Sequence, residues 1–146
     1  MEDYGRSIVV DLPFERALFE TSHALRHEGM DIIWTLDVRD HVKWTLRQEF
    51  RQYVLLHACS AEVTAEALRH DLAAGTVLTT AIAIYELADG ETAIVAAKPF
   101  ARLADDAAWR AREPALARLA DDESGRVARV LERLEHIAPH SHESAA

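Results

Sequence analysis

A β-hairpin in the second half of the chain is the feature that most constrains the fold. Residues 76–87 and 91–97 are two runs of β-branched, aromatic and small residues, and the dipeptide Asp89-Gly90 lies between them. An Asp-Gly pair flanked by such runs is typical of a tight hairpin turn, because glycine tolerates the positive φ that this turn requires. The pattern therefore predicts two adjacent antiparallel strands.

Three more strand patterns precede the hairpin, and each is followed by a helical pattern. The strands run from Arg6 to Asp11, from Met30 to Val38 with Ile32, Trp34 and Leu36 on one face, and from Tyr53 to Cys59. The helices begin near Pro13, at Asp40 and after Ser60, and they end near Gly29, Phe50 and Gly75. The third strand is almost continuously apolar, which is typical of an interior strand.

After Pro99 the pattern is helical only. An apolar stripe runs through Val127, Val130, Leu131, Leu134 and Ile137, and residues 103–122, interrupted by Pro114, predict one or two short helices. We expect one domain over residues 1–138 and a disordered tail over 139–146. The order favours an α+β fold with a mostly antiparallel sheet of about five strands and helices packed on one face. A second, uncovered sheet face would need a partner, which favours a homodimer.

Charge and composition exclude several classes of protein. The chain has 16 Lys and Arg residues against 25 Asp and Glu residues, a net charge of −9, so neither a nucleic-acid nor an anionic-membrane partner is expected. No apolar run reaches the roughly 20 residues that span a bilayer. The N-terminal sequence lacks the basic and apolar regions of a secretion signal, and the one cysteine suits a reducing cytosol, so we expect a cytoplasmic protein.

Residue spacing between positions 7 and 99 resembles that of a known family. The matching positions are Asp37-Val38, Lys43, Leu46, Phe50, Tyr53, Leu56, Ala58-Cys59, Ala67-Leu68, Asp71, Gly75, Leu78 and Tyr85-Glu86. On these residues the chain resembles the domain of unknown function 302 family. The resemblance implies a small α+β domain of strand-helix-four-strands-helix type that is often a dimer.

Two cysteine motifs of that family are altered in this chain. Cys59-Ser60-Ala61 stands where the family has Cys-Asn-Pro, and Leu78-Thr79-Thr80-Ala81 stands where it has Leu-Pro-Cys-Asn. The first family cysteine is thus kept as Cys59, and Thr80 replaces the second. A dithiol couple or a two-thiolate metal site would lack one of its two thiols here.

His57 and Cys59 are the residues best placed to carry chemistry. They are two positions apart on a predicted strand, so both side chains leave the same face. An imidazole and a thiol placed in this way could bind a transition metal or haem iron, although a third ligand would have to come from another strand or a second subunit. Alternatively, Cys59 is a buried apolar residue and His57 a histidine with its hydrogen bonds satisfied.

Aromatic residues near this strand could wall a ligand pocket. Trp34 and Trp44 flank the second strand and its helix, Tyr53 or Tyr85 could supply a polar group, and the Thr80 hydroxyl could face a small polar ligand. The same rings suit core or dimer packing. Two weaker metal patterns are the pair His23 and His27 on the first helix and the cluster His136, His140 and His142 toward the C-terminus.

Three functions remain open at this point. The first is a homodimeric binding module that holds a small apolar or planar ligand between sheet and helices. The second is a haem or metal protein that uses His57, Cys59 or both, with redox or gas-handling activity. The third is a structural interaction domain without a ligand. No nucleotide-binding loop, serine-hydrolase elbow or His-Glu-x-x-His motif is present, so the sequence assigns no enzymatic activity.

Overall fold

The computed structural model describes residues 4–141, which form five strands and five α-helices. The strands are β1 (Arg6–Val10), β2 (Asp31–Asp37), β3 (Tyr53–Cys59), β4 (Thr80–Ala88) and β5 (Glu91–Ala96). The helices are α1 (Phe14–His27), α2 (Val38–Leu46), α3 (Ala61–His70), α4 (Ala107–Arg112) and α5 (Pro114–Ile137). None of the helices in the described residues is both long and apolar enough to cross a membrane.

The strands form one antiparallel sheet in the order β1-β5-β4-β3-β2. The predicted α+β class is therefore confirmed, and the β4–β5 hairpin turns at Gly90, whose φ is +75°. The first hairpin strand begins at Thr80, four residues later than predicted, because Leu72–Thr76 forms a 3₁₀ turn. β3 is an interior strand between β4 and β2.

Alternate residues of β3 enter the main core. Val54, Leu56 and Ala58 are at most 4% exposed, whereas the residues between them are half-buried. Helices α1 and α5 pack on this face of the sheet, as a layered α+β fold requires. Their contributions are Phe14, Ala17, Ala24 and Leu25 from α1, and Val127, Val130, Leu131 and Leu134 from α5.

A β-bulge in the edge strand β2 changes which face its side chains occupy. Ile32 pairs with Ala58, but Trp34 pairs with His57, so the register shifts between Ile32 and Trp34. Ile32 therefore packs against the core, and Trp34 and Leu36 leave on the opposite face. The prediction that Ile32, Trp34 and Leu36 share one face was wrong for Ile32.

A second core cluster lies beside the first. Phe100 is fully buried there and its ring lies 5.8 Å from that of Trp109, centroid to centroid. The cluster is completed by Ala67, Ala74, Leu78, Leu116, Ala117 and Ala120. Helix α5 supplies residues to both clusters and so connects them.

Helix α5 is longer than predicted. Pro114 separates the short helix α4 from α5, as predicted, but the helix that it begins runs for 24 residues. Proline is tolerated in this first turn because the N–H that it lacks would have no acceptor within the helix. Helix α2 also differs, because Asp37 caps it by accepting a hydrogen bond from the Asp40 N–H, at 3.0 Å.

The first residues of the predicted tail contact β1 and the residue that follows it. Pro139 pairs with Val10 in an isolated antiparallel bridge, and the Ser141 N–H donates to Asp11 Oδ2 at 2.9 Å. The backbone of Pro139 and that of Ser141 thus have partners beside β1, and the tail over residues 139–146 stays a prediction. Residues 142–146 lie outside the described part of the chain.

Candidate functional site

The face of the sheet turned away from α1 and α5 carries most of the residues predicted to bind a ligand. Because side chains alternate along a strand, the partners of the core residues point to this second face. Its central members are Trp34, Leu36, Tyr53, Leu55, His57, Ala81, Ala83, Tyr85, Ala93 and Val95. This whole face is called the open face below, and these ten residues are its centre. Apart from the enclosed Ala93, these side chains are half-buried or exposed.

A stacked pair of rings occupies the β2–β3 side of the open face. Trp34 and His57 are directly opposite each other, with ring centroids 4.2 Å apart and an angle of 14° between the ring planes. The His57 Nδ1 atom lies 3.1 Å from the Thr79 hydroxyl, which fixes the orientation of the imidazole. The β2 bulge creates this pair, because it brings Trp34 into register with His57.

A second stacked pair lies further along β3. Tyr53 and Tyr85 are opposite each other on β3 and β4, with centroids 5.2 Å apart and an interplanar angle of 8°. The Phe50 ring lies 6.4 Å from the Tyr53 ring at a tilt of 57°. Leu55 and Ala83, which are also paired, separate the two stacks.

The central open face is uncharged at neutral pH. Burial lowers the pKa of the His57 imidazole below its ordinary value. Burial, followed by repulsion from Tyr85, raises the pKa of the Tyr53 phenol. Both rings are therefore neutral, and the other central members are apolar or, in Tyr85, a phenol.

We expect the Trp34 ring to control the protonation of His57. In an NMR titration, His57 should titrate below the ordinary value of about 6.5, and Trp34→Ala should raise its pKa, because the uncovered imidazole regains water. In the wild type the lowered pKa of His57 means that the folded state binds fewer protons than the unfolded state. The contribution of His57 to the free energy of unfolding is therefore complete above about pH 6.5 and declines as the pH falls below that value. The control is Ile33→Ala, which removes an exposed neighbour and should leave the titration unchanged. A wild-type pKa at or above the ordinary value would contradict this expectation.

Two of the residues predicted to bind a ligand lie elsewhere. Thr80 is fully buried on the core face opposite Ala58, and its hydroxyl has no hydrogen-bond partner among the described residues. Trp44 lies on α2 and is 79% exposed, with no ring contact in the described chain. The aromatic residues thus do not wall a pocket between sheet and helices, because those that come together face away from α1 and α5.

His57 and Cys59 share the open face as the alternation predicted. Cys59 is half-buried and is the last residue of β3, and only Ser60 separates it from α3. Within residues 4–141 this pair does not belong to any group of three close metal-ligating side chains. A metal ion held by both His57 and Cys59 would need a further ligand from outside these residues.

A buried carboxylate behind Cys59 was not identified from the sequence. Glu123 of α5 is 0% exposed, and its Oε2 accepts hydrogen bonds from the Ser60 N–H at 3.0 Å and the Ser60 hydroxyl at 3.2 Å. Its Oε1 lies 3.5 Å from Arg126 Nε, an ion-pair distance. In sequence, Glu123 follows two other acidic residues on a charged helix, so only the contact with Ser60 distinguishes it from a solvated side chain.

Comparison with known proteins identifies a family and a fold. A family model described as "Domain of unknown function DUF302" matches residues 6–134. The chain is also similar to the crystal structure of an uncharacterized conserved protein DUF302 from Bacillus stearothermophilus, with a TM-score of 0.73 and 22% sequence identity, over 88% of this chain and 96% of that chain. At this identity the structural match shows a shared fold. No match was found among curated proteins.

Proposed function

The chain belongs to the DUF302 family, and we propose that it is a homodimeric binding module in which the open faces of two copies enclose a small apolar or planar ligand. The observation that carries the proposal is the presence of two stacked ring pairs on an uncharged sheet face. The single cysteine is compatible with a cytoplasmic location for this module.

The apolar character of the open face supports a partner. An antiparallel sheet with one face in water normally alternates apolar and polar residues along each strand. Here β3 places Tyr53, Leu55 and His57 on the open face, and β4 adds Ala83 and Tyr85. Exposure of such a contiguous apolar surface is unfavourable, so covering it is expected to stabilise the protein.

A second copy of the chain is the partner that this surface fits. The centres of protein interfaces are depleted in charge and enriched in aromatic residues, as the open face is. Two identical sheet faces can pair across a two-fold axis, and the same surface of each copy then forms the interface. Salt screens the repulsion between two copies of net charge −9 beyond about 10 Å at 0.1 M, and the centre of the open face carries no acidic residue that would be buried in the dimer.

The stacked rings supply the chemistry for a planar ligand. The exposed side of the Trp34 ring, which is 45% exposed, can stack on an aromatic ligand. The imidazole of His57 and the hydroxyl groups of Tyr53 and Tyr85 can orient such a ligand by hydrogen bonds. Between them, Leu55 and Ala83 provide an apolar floor.

The proposed dimer predicts a large effect of a charge at the centre of the open face. We expect the wild-type chain to sediment as a dimer at micromolar concentration and Leu55→Asp to sediment as a monomer, because two carboxylates would be buried without partners. Ala83→Arg, on the strand opposite Leu55, should have the same effect by steric and charge repulsion. The matched control is Leu72→Asp, since Leu72 is 83% exposed and lies outside the sheet. Circular dichroism establishes that each variant is folded, and a monomeric wild-type protein would refute the dimer.

Ligand binding is tested separately with defined probes. Naphthalene and indole should raise the melting temperature of the wild-type dimer and change the fluorescence of Trp34, and Trp34→Ala should abolish both effects. A dimer that responds to neither probe would instead be a structural interaction domain.

Haem or metal binding is the second candidate function, and the neutral His57 ring favours it. Thr79 contacts Nδ1, so Nε2 remains available as an axial ligand to haem iron. Titration with haemin should then give a Soret band that His57→Ala removes. A band that persists in both His57→Ala and Cys59→Ala would exclude this site.

A further inference from the structure

Three potential metal ligands converge at the edge of the sheet opposite to Trp34. They are Asp11, Glu91 and His140, and one ligand atom from each lies within 4.8 Å of the other two. The His140 Nδ1 atom is 2.9 Å from Asp11 Oδ1 and 3.7 Å from Glu91 Oε2. Only His140 was noted from the sequence, because the three residues are separated by long stretches of chain.

The fold explains why these side chains meet. β1 and β5 are paired through Val10 and Thr92, and the next position in that register places Asp11 opposite Glu91. Pro139 pairs with Val10 on the other side of β1, which brings the segment that carries His140 alongside the end of β1. There the His140 ring contacts the Asp11 carboxylate. Val10 belongs to the core and Thr92 is buried beside it, so Asp11 and Glu91, the next residues along β1 and β5, turn toward the opposite face.

From this arrangement we infer that Asp11, Glu91 and His140 form a binding site for a divalent transition-metal ion of the zinc type. Zinc binds imidazole nitrogen and carboxylate oxygen at about 2.0–2.2 Å. Neighbouring ligand atoms around such an ion, at bond angles of about 90–120°, are then about 2.8–3.8 Å apart. Both measured distances from His140 Nδ1 fall in this range. One nitrogen and two oxygens suit zinc, cobalt or manganese better than calcium, which takes six to eight oxygen ligands.

Charge and exposure support the same inference. Two carboxylates opposite each other on adjacent strands repel, and a divalent cation between them removes that repulsion. The side chains of Asp11, Glu91 and His140 are 41%, 33% and 25% exposed, so an ion can enter from solvent and keep a water as an additional ligand. Asp11 Oδ2 receives the Ser141 N–H, which leaves Oδ1 as the oxygen nearest to His140.

Metal titration of the full chain tests the site. The chelator-treated protein is titrated with Zn²⁺ by calorimetry and with Co²⁺ by absorption spectroscopy. We expect one high-affinity ion per chain, and a loss of affinity of at least about ten-fold in each of Asp11→Asn, Glu91→Gln and His140→Gln. The matched control is Asp89→Asn, which removes a carboxylate from the same hairpin as Glu91 and changes the net charge as much as Asp11→Asn and Glu91→Gln do. This variant should bind zinc as the wild type does.

A second measurement distinguishes this site from metal binding by the other histidines. Zinc should slow amide hydrogen exchange at Ser141 and Val10 in the wild type and in Asp89→Asn, but not in Asp11→Asn. Unchanged zinc affinity in the three ligand variants, or the absence of zinc binding in the wild type, would overturn the inference and leave a hydrogen-bonded latch between His140 and Asp11. The result is independent of the open face, because Leu55→Asp should bind zinc normally.

Discussion

Phe100→Ala is expected to lower the free energy of unfolding by about 4 kcal/mol. The Phe100 side chain is fully buried against Trp109, and its removal deletes most of the apolar volume at the centre of the second core cluster. Phe100 and Ala101 both have positive φ, at 62° and 49°, and such strained backbone persists only where the surrounding packing holds it in place. Urea denaturation followed by circular dichroism and by tryptophan fluorescence measures the change.

The matched control for Phe100→Ala is Phe19→Ala. Phe19 is 62% exposed on α1, so its removal should change stability by no more than about 1 kcal/mol. Because α5 joins the two clusters, the unfolding of Phe100→Ala should remain a single transition in both signals. Separate transitions would show that the second cluster unfolds by itself, and a loss below about 1 kcal/mol would show that Phe100 is not the centre of its packing.

The second large effect is expected at Glu123. Glu123→Ala should lower the free energy of unfolding by about 3–5 kcal/mol, because it leaves the Ser60 N–H and hydroxyl without their acceptor and Arg126 without its buried partner. Glu123→Gln keeps a carbonyl oxygen for Ser60 and should cost less than half as much as Glu123→Ala. Thermal and urea denaturation at pH 7 measure both variants.

Glu62→Ala provides the comparison for Glu123. The Glu62 carboxylate also lies near Arg126, at 3.7 Å, but its side chain is 90% exposed. An exposed ion pair contributes little, so this variant should stay within about 0.5 kcal/mol of the wild type. If Glu62→Ala and Glu123→Ala proved equally mild, the carboxylate of Glu123 would not be the link between α5 and the start of α3.

Local patterns in the sequence were sufficient to predict most of the sheet. The alternation through Tyr53–Cys59 and the turn at Gly90 are properties of neighbouring residues, and the structure places both as expected. The face assignment of Ile32 failed, because a bulge depends on how β2 meets β3 and not on the sequence of β2 alone. The bulge brings Trp34 against His57, so the sequence could not predict this pair.

The long-range polar contacts were also beyond the sequence. The contact between Glu123 and Ser60 joins residues 63 positions apart, and the contact between Asp11 and His140 joins residues 129 positions apart. Both contacts depend on how α5 crosses the sheet. Thr80, by contrast, lies on the core face because alternation along β4 places it opposite to Ala81 and Tyr85. Periodicity indicates which face of a strand a residue occupies, but it does not indicate which helix will cover that face.

The position of α5 in the chain has a consequence for protein synthesis. On the ribosome, all five strands are translated before residues 127–134, which cover Val54, Leu56 and Ile84 in the finished core. Pairing of β1 with β5 also requires some ninety residues of chain, so stable structure forms late in translation. Until α5 leaves the exit tunnel, the nascent sheet exposes apolar residues on both faces, and we expect chaperones that bind unfolded chains to engage it during this interval.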